Sequence, residues 1–264
     1  MLSLVGRSIL IQASLAAISS YIMQCSHLPS IILDGLDRVN QNFLWGSSDT
    51  IKKIHWVGRD KVTKTKEERG IGLQSAKWRN IALLSKLNWR FHTKREAPWV
   101  QVLKMSYCSH RRRIASNANK LPCSPIWATM KRGMDTLNRG SKWMVGRDSR
   151  LNVWSSNWTT ESPLRQLIQG PFIEEASILE IKDIMSDIGW DWEKIPFELP
   201  QEIKMMIQAT PTAFTSKGSD RLSWANSLKG TFDLKSAYKI AIGIKDPPFF
   251  GFGKLTLPKI KTFL

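Results

Sequence analysis

Ser75-Ala76-Lys77-Trp78-Arg79-Asn80-Ile81-Ala82-Leu83-Leu84-Ser85-Lys86-Leu87-Asn88-Trp89-Arg90-Phe91-His92 is the stretch on which the fold class turns. Trp78, Ile81, Ala82, Leu84, Leu87, Trp89 and Phe91 recur at helical spacing and give it two apolar sides. The spacing therefore predicts a helix over 75–92. Arg79, Lys86 and Arg90, separated by seven and four, align on one edge of it. Such a stripe can follow a row of phosphates, with the arginines making forked contacts. The plainer alternative is a solvated helix edge, since surface helices commonly carry such charges.

Upstream, an apolar run from Leu2 is interrupted by Arg7 and closes at Leu28-Pro29. Its 19 uncharged residues, Ser8 to Ser26, have the length of a membrane span. Ser8, Gln12, Ser19 and Ser26 fall on one narrow stripe, and seven Ser and Gln dilute the hydrophobicity. This predicts a mostly buried core helix with one wet edge rather than a span. Ile32, Leu36, Val39 and Phe43 predict a second helix over 31–43, broken by Gly46 to Asp49. Ile54 to Val57 alternates like a short strand, and 61–72 reads as a basic loop. Pro98 and Pro125 sit where proline opens a helix, one ending near Tyr107 and the other near Leu137.

The character changes at Ser141. Lys142 to Val145 and Arg150 to Trp154 flank Gly146-Arg147-Asp148-Ser149 as in a hairpin. A second hairpin is expected between Arg221 to Trp224 and Gly230 to Leu234, with a helix over 236–242 after it. Short helices are expected within 178–188 and 199–209. The fold class read from these patterns is mostly α with small β-hairpins, an α+β arrangement.

The chain of 264 residues carries 39 Lys+Arg against 22 Asp+Glu, a formal charge of +17. Residues 1–150 hold 26 basic and 9 acidic side chains, whereas residues 151–264 hold 13 of each. The excess belongs wholly to the first part, which favours two domains and points to a polyanionic partner. Nucleic acid is the first candidate and an acidic membrane surface the second; a basic surface without a specific ligand is the alternative. Further candidate phosphate contacts are Arg111-Arg112-Arg113 and Lys61, Lys64 and Lys66, each weighed against a solvated basic loop. Some of the 12 tryptophans could stack on unpaired bases, although most fall on apolar faces that suit a core.

Metal-dependent phosphoryl chemistry needs clustered carboxylates. The chain has no Asp-Asp pair, and Glu67-Glu68 and Glu174-Glu175 fall in expected loops. Gly70-x-Gly72 is too short to cradle a phosphate. Cys108-x-His110 with Cys123, and separately Cys25-x-His27, lack the paired spacing of structural zinc. His55 and His92 fall in no recognisable catalytic pattern. Three cysteines make no disulfide framework and fit a reducing compartment. Neither a metal nor another cofactor is expected.

Several short patterns occur in a specific order: Asn42-Phe43-Leu44-Trp45-Gly46; Lys53 to Val57; Gly70-Ile71-Gly72-Leu73; Asn80, Ala82, Leu83, Leu84 and Lys86 running into Trp89-Arg90-Phe91; Trp143, Val145, Gly146, Val153, Trp154 and Trp158; and Phe232-Asp233-Leu234-Lys235-Ser236-Ala237-Tyr238. Together they resemble the reverse transcriptases of plant LINE-type (non-LTR) retrotransposons, over nearly the whole chain. The segment resembled lies between the polymerase palm and the reverse-transcriptase zinc-binding domain. Arg59 and Arg69 depart from the family pattern, as does the lack of a tryptophan within 250–253.

The resemblance implies a basic, helical, thumb-like region over 1–140 and a mixed connector with two hairpins over 141–248. It also implies the truncated start of a zinc-binding domain over 249–264. The family's polymerase Asp-Asp motif would lie before Met1, and the zinc-binding cysteines and any RNase H domain beyond Leu264. No enzyme activity is therefore expected of this fragment of an RNA-directed DNA polymerase. Its expected role is to hold RNA or DNA backbone without regard to sequence. The alternatives are a structural module docking on an upstream polymerase domain, or a decayed copy without activity. Membrane attachment is not expected; a nuclear or cytoplasmic location is.

Overall fold

The computed structural model describes residues 2–47, 54, 57–63, 70–107, 124–160, 163–168, 174–186, 189–210 and 220–243, with the backbone alone at 59, 60, 174 and 175. Among the described residues the fold is mostly helical with one small antiparallel pair of strands, matching the expected class. The chain divides into two compact units, Met1–Thr136 with Ala237–Ile244, and Leu137–Ser236 with Lys245–Leu264.

The first unit opens with α1 (Leu4–Leu10), a π-helical turn (Ile11–Leu15) and α2 (Ala16–Met23). Ser3 caps the start, its Oγ accepting from the Gly6 N–H at 3.1 Å. α3 (Ser30–Trp45) begins after Pro29 and ends at Gly46, whose φ of 69° lets Ser47 N–H reach back to the Asn42 carbonyl at 2.9 Å. The Arg7 guanidinium donates to the Leu44 carbonyl at the same helix end and lies against Gly46, where any Cβ would collide with it. Ile11, Leu44, Val62 and Leu73 form the small core beneath these helices.

The expectation of a mostly buried N-terminal helix is overturned. Only Ile11 and Met23 are buried along 4–23, whereas Val5, Ile9, Ile18 and Tyr21 are exposed, Tyr21 at 81%. Ile31, Ile32 and Val39 of α3 are exposed as well. The stretch Leu4–Met23 is long and apolar enough to cross a membrane by length and composition, and almost none of it is buried. Hydropathy reports what a residue gains by leaving water, not whether a neighbour is present to cover it.

α4 (Arg59–Thr63) occupies part of the expected basic loop, and α5 (Ala76–Thr93) corresponds to the predicted 75–92 helix. α6 (Pro98–Tyr107) and α7 (Pro125–Gly140) start at the two prolines suited to open a helix. α5 is the central helix of this unit: Ala76, Asn80, Ala82, Leu83, Leu84, Ser85, Asn88 and Phe91 are buried. Asn80 is wholly enclosed. Its Nδ2 donates to the Met23 and Ser26 carbonyls at 3.0 and 2.9 Å, and its Oδ1 accepts from the Leu28 N–H at 3.0 Å. One side chain thereby satisfies the frayed end of α2 and the turn into Pro29. Gly133 of α7 permits a close backbone approach, since a Cβ there would lie 2.5 Å from the Leu84 carbonyl carbon. Asn88 Nδ2 donates to the Met130 carbonyl at 2.7 Å in the same contact.

In the second unit, β1 (Ser141–Met144) pairs antiparallel with β2 (Arg221–Trp224), Ser141 opposite Trp224 and Met144 opposite Arg221. Neither expected hairpin forms: the leading strands of both pair with each other. Within 150–154, Asn152 instead bridges to Glu180, and its Oδ1 accepts from the Trp154 and Ser155 N–H groups in a local turn. The segment after Trp224 returns through one bond, Trp224 N–H to the Gly230 carbonyl at 2.9 Å, before α11 (Leu234–Ile242) begins. Short helices α8 (Glu174–Ser177), α9 (Ile181–Ile184) and α10 (Gln201–Gln208) lie between the strands.

The core of this unit joins Val153, Trp154, Trp158, Leu164, Ile181, Ile184, Ile203 and Ile207. The indole N–H groups of Trp154, Trp158 and Trp224 donate to the Ala176 carbonyl, the Val153 carbonyl and Ser236 Oγ at 2.7, 2.8 and 2.8 Å. Those three tryptophans are core, with their polar edge satisfied.

Candidate nucleic-acid interface

At about 100° per residue, Arg79, Lys86 and Arg90 fall within an arc of about 40° on α5. Buried Ala82 and Leu83 flank this edge, so it is a narrow polar seam between enclosed positions. Lys86 is exposed, and Arg79 and Arg90 are partly exposed. Exposed Lys94 and Arg95 extend the positive charge past the end of the helix.

The three stripe residues are not equivalent. Arg79 sits one turn into α5, beside a cap built from outside the helix. Asp37 of α3 accepts from the Ala76 N–H at 2.8 Å and from Ser75 Oγ at 3.2 Å, and Tyr238 Oη accepts from the Ser75 N–H at 2.8 Å. This carboxylate occupies the positive end of the α5 dipole. Burial pulls Arg79 down from its ordinary pKa, with Tyr238 opposing, and its Nε is sealed from solvent without a hydrogen bond. Burial also pushes the Tyr238 phenol up, and it stays protonated at neutral pH. Arg90 lies over the Trp99 ring, its guanidinium carbon 5.9 Å from the centroid.

Beyond Arg90 stands an aromatic wall. Phe91 packs against Trp99 at 6.3 Å and Trp127 at 5.9 Å, and Trp127 stacks on Tyr107 at 4.7 Å with planes 6° apart. Lys104 lies 5.7 Å from the Phe91 centroid. His92 is pushed down to about 4 by burial and by the charges of Lys104 and Arg95. The imidazole is neutral at pH 7, chiefly because burial disfavours its charged form. Nothing in the sequence pattern singles out Trp99, although its place one residue after a helix-opening proline puts it near the end of the stripe.

Of the other candidate contacts, Lys61 is exposed in the last turn of α4, a helix rather than the expected loop. Lys64, Lys66 and Arg111 to Arg113 lie outside the described residues, as do Cys108, His110, Cys123 and the 249–264 segment. Cys25 and His27 are exposed at the end of the first helical run. Among the described residues no three His, Cys, Asp or Glu come together as metal ligands. A cavity of about 20 Å³ between Asp37, Asn40, Gln41, Val62, Thr63, Leu73 and Gln74 holds about one water, too little for a substrate.

No protein-family model matches the chain, and no solved structure does. Two proteins of Arabidopsis thaliana are similar to it. One, named "Putative ribonuclease H protein", is 31% identical over 276 aligned residues that take in the whole chain; the chain spans 44% of that relative's length. The other, an uncharacterized mitochondrial protein, is 29% identical over 153 residues, 57% of this chain and 99% of the relative. The chain is thus similar to plant proteins, one of them bearing an enzyme's name. That name corrects the expectation that the chain is not an enzyme: the relative matched along the whole of this chain is named a "Putative ribonuclease H protein".

Proposed function

We propose that this chain is a segment of a plant LINE-type reverse transcriptase, between its palm and its zinc-binding domain, and that its first unit holds the nucleic-acid backbone. The observation carrying this is the α5 edge: Arg79, Lys86 and Arg90 in one line on the most enclosed helix of the unit. A rigid helix fixes the spacing of its charges, and Arg79 to Arg90 spans about 16 Å at 1.5 Å per residue. That length covers about five base-pair steps of 3.4 Å. The concentration of the +17 charge in residues 1–150 supports the reading, and so does the similarity of the whole chain to part of a protein named for ribonuclease H. Contacts to phosphates alone are indifferent to sequence.

The test is binding of an RNA–DNA duplex across a salt series, beside a Lys86→Gln/Arg90→Gln variant. Affinity should fall steeply as salt rises, and the variant's log–log slope should be shallower by about 1–2. A folded chain that binds no duplex at low salt would overturn the reading.

A second reading, a module that docks on another protein domain, is favoured by the exposed apolar residues of α1, α2 and α3. It is tested by asking whether a separately expressed polymerase domain covers Ile18 and Tyr21 in hydrogen-exchange or labelling experiments.

A further inference from the structure

Arg90 ends the basic edge of α5 on the ring of Trp99, and this arrangement has a use that phosphate contacts do not require. A guanidinium that only grips phosphate gains nothing from an indole beneath it. A guanidinium layered on an indole presents a flat, cationic, π-bearing shelf, the surface on which an unpaired base stacks. Trp99 is partly exposed and is braced by Phe91 and by the first turn of α6, which fix the ring's plane. Lys104 adds a further cation over the neighbouring Phe91 ring. We propose that Trp99 with Arg90 is a stacking platform for an unpaired base, so that this face takes a duplex continued by a single-stranded extension in preference to a blunt one. The platform rests on the reading that the α5 edge holds nucleic acid: the edge takes the duplex phosphates, and the shelf at its end takes the first base beyond the paired region.

A comparison separates the two claims. Partly exposed Trp78 also carries a cation, with Lys77 Nζ 4.8 Å from its ring, but lies about 100° around α5 from the basic edge. The experiment uses the full chain and one RNA–DNA duplex bearing a four-nucleotide single-stranded extension. The extension is made once with bases and once with abasic sugars, so that the phosphate count is unchanged. The base-bearing extension should bind at least about fivefold tighter, the lower end of one base–aromatic stack. Trp99→Leu should abolish that ratio, Trp99→Phe should retain most of it, and Trp78→Leu should leave it as in the parent. 5-Iodouracil at the first extension position should photo-cross-link to the Trp99 peptide, a readout that does not depend on a variant folding. Equal affinity for the two extensions, with steep salt dependence kept, overturns the platform and leaves the backbone reading standing. A base-dependent ratio that survives Trp99→Leu, or a cross-link mapping elsewhere, also overturns it. No binding of either duplex at low salt overturns both.

Discussion

Asn80 shows what one enclosed amide can hold. Its three hydrogen bonds serve the end of α2 and the turn into Pro29, where ordinary helix geometry leaves such groups without a partner. Asn80→Ala should therefore destabilise the chain by about 2–3 kcal/mol, the cost of leaving buried polar groups unpaired, read from a shift in denaturant midpoint at constant slope. Asn80→Asp should fare no better, because a carboxylate cannot donate to the Met23 and Ser26 carbonyls. His92 makes a different statement. Its folded pKa of about 4 lies below the unfolded 6.5, so the neutral ring's contribution is complete above about pH 6.5. It is lost as pH falls from there toward 4, to a total of about 3 kcal/mol. His92→Gln should flatten the acid limb of the stability profile over that window. An unchanged limb would show that carboxylates alone set it. At this scale the sequence is informative about spacing and silent about bonds: the Arg79, Lys86 and Arg90 alignment comes from helical period alone. That Arg79 is half sealed beside Tyr238, far along the chain, does not.

Elements are legible where their cause is local. Pro98 and Pro125 open helices because proline suits the first turn, and α5 shows its period over 18 residues. Pairing of β1 with β2 is not legible. Turn-like Gly146-Arg147-Asp148-Ser149 suggests a neighbour partner, whereas the register is set by burial of Leu222 and Trp224 on a strand distant in sequence. Gly133 illustrates a contest between local and tertiary preference. Alanine is the better helix former by about 1 kcal/mol, yet a Cβ would stand 2.5 Å from the backbone of Leu84. Gly133→Ala should therefore lower stability by about 1–3 kcal/mol in thermal or denaturant melts. A neutral or stabilising result would mean α7 can withdraw from α5 without loss. The α1–α2 face, apolar in sequence yet uncovered, invites the converse test. Ile18→Lys with Tyr21→Lys removes exposed apolar surface at little structural cost, so it should reduce self-association and binding of a hydrophobic dye while leaving melting unchanged within about 0.5 kcal/mol.

Across the whole molecule, charge and fold divide differently. The sequence places all net charge within residues 1–150, and the compact units divide at Thr136, close to that shift. What composition cannot reveal is that the first unit is discontinuous. It closes with Ala237–Ile244, contributed after the second unit's strands in chain order. A charge count sees residues in order along the chain, and α11 carries too few charges to mark its return.

Tyr238 gives that discontinuity a consequence in time. The Ser75 N–H that opens the central helix has its acceptor in a residue made only after the whole stretch from Leu137 to Ser236. At about 5–20 residues per second, a ribosome would take about 5–20 s to supply it. During that interval the start of α5 stands incompletely capped, so the basic unit is completed last although it is translated first. Stalled nascent chains ending before Ala237 should resist protease less, over 76–93, than chains long enough to have released residue 243 from the exit tunnel.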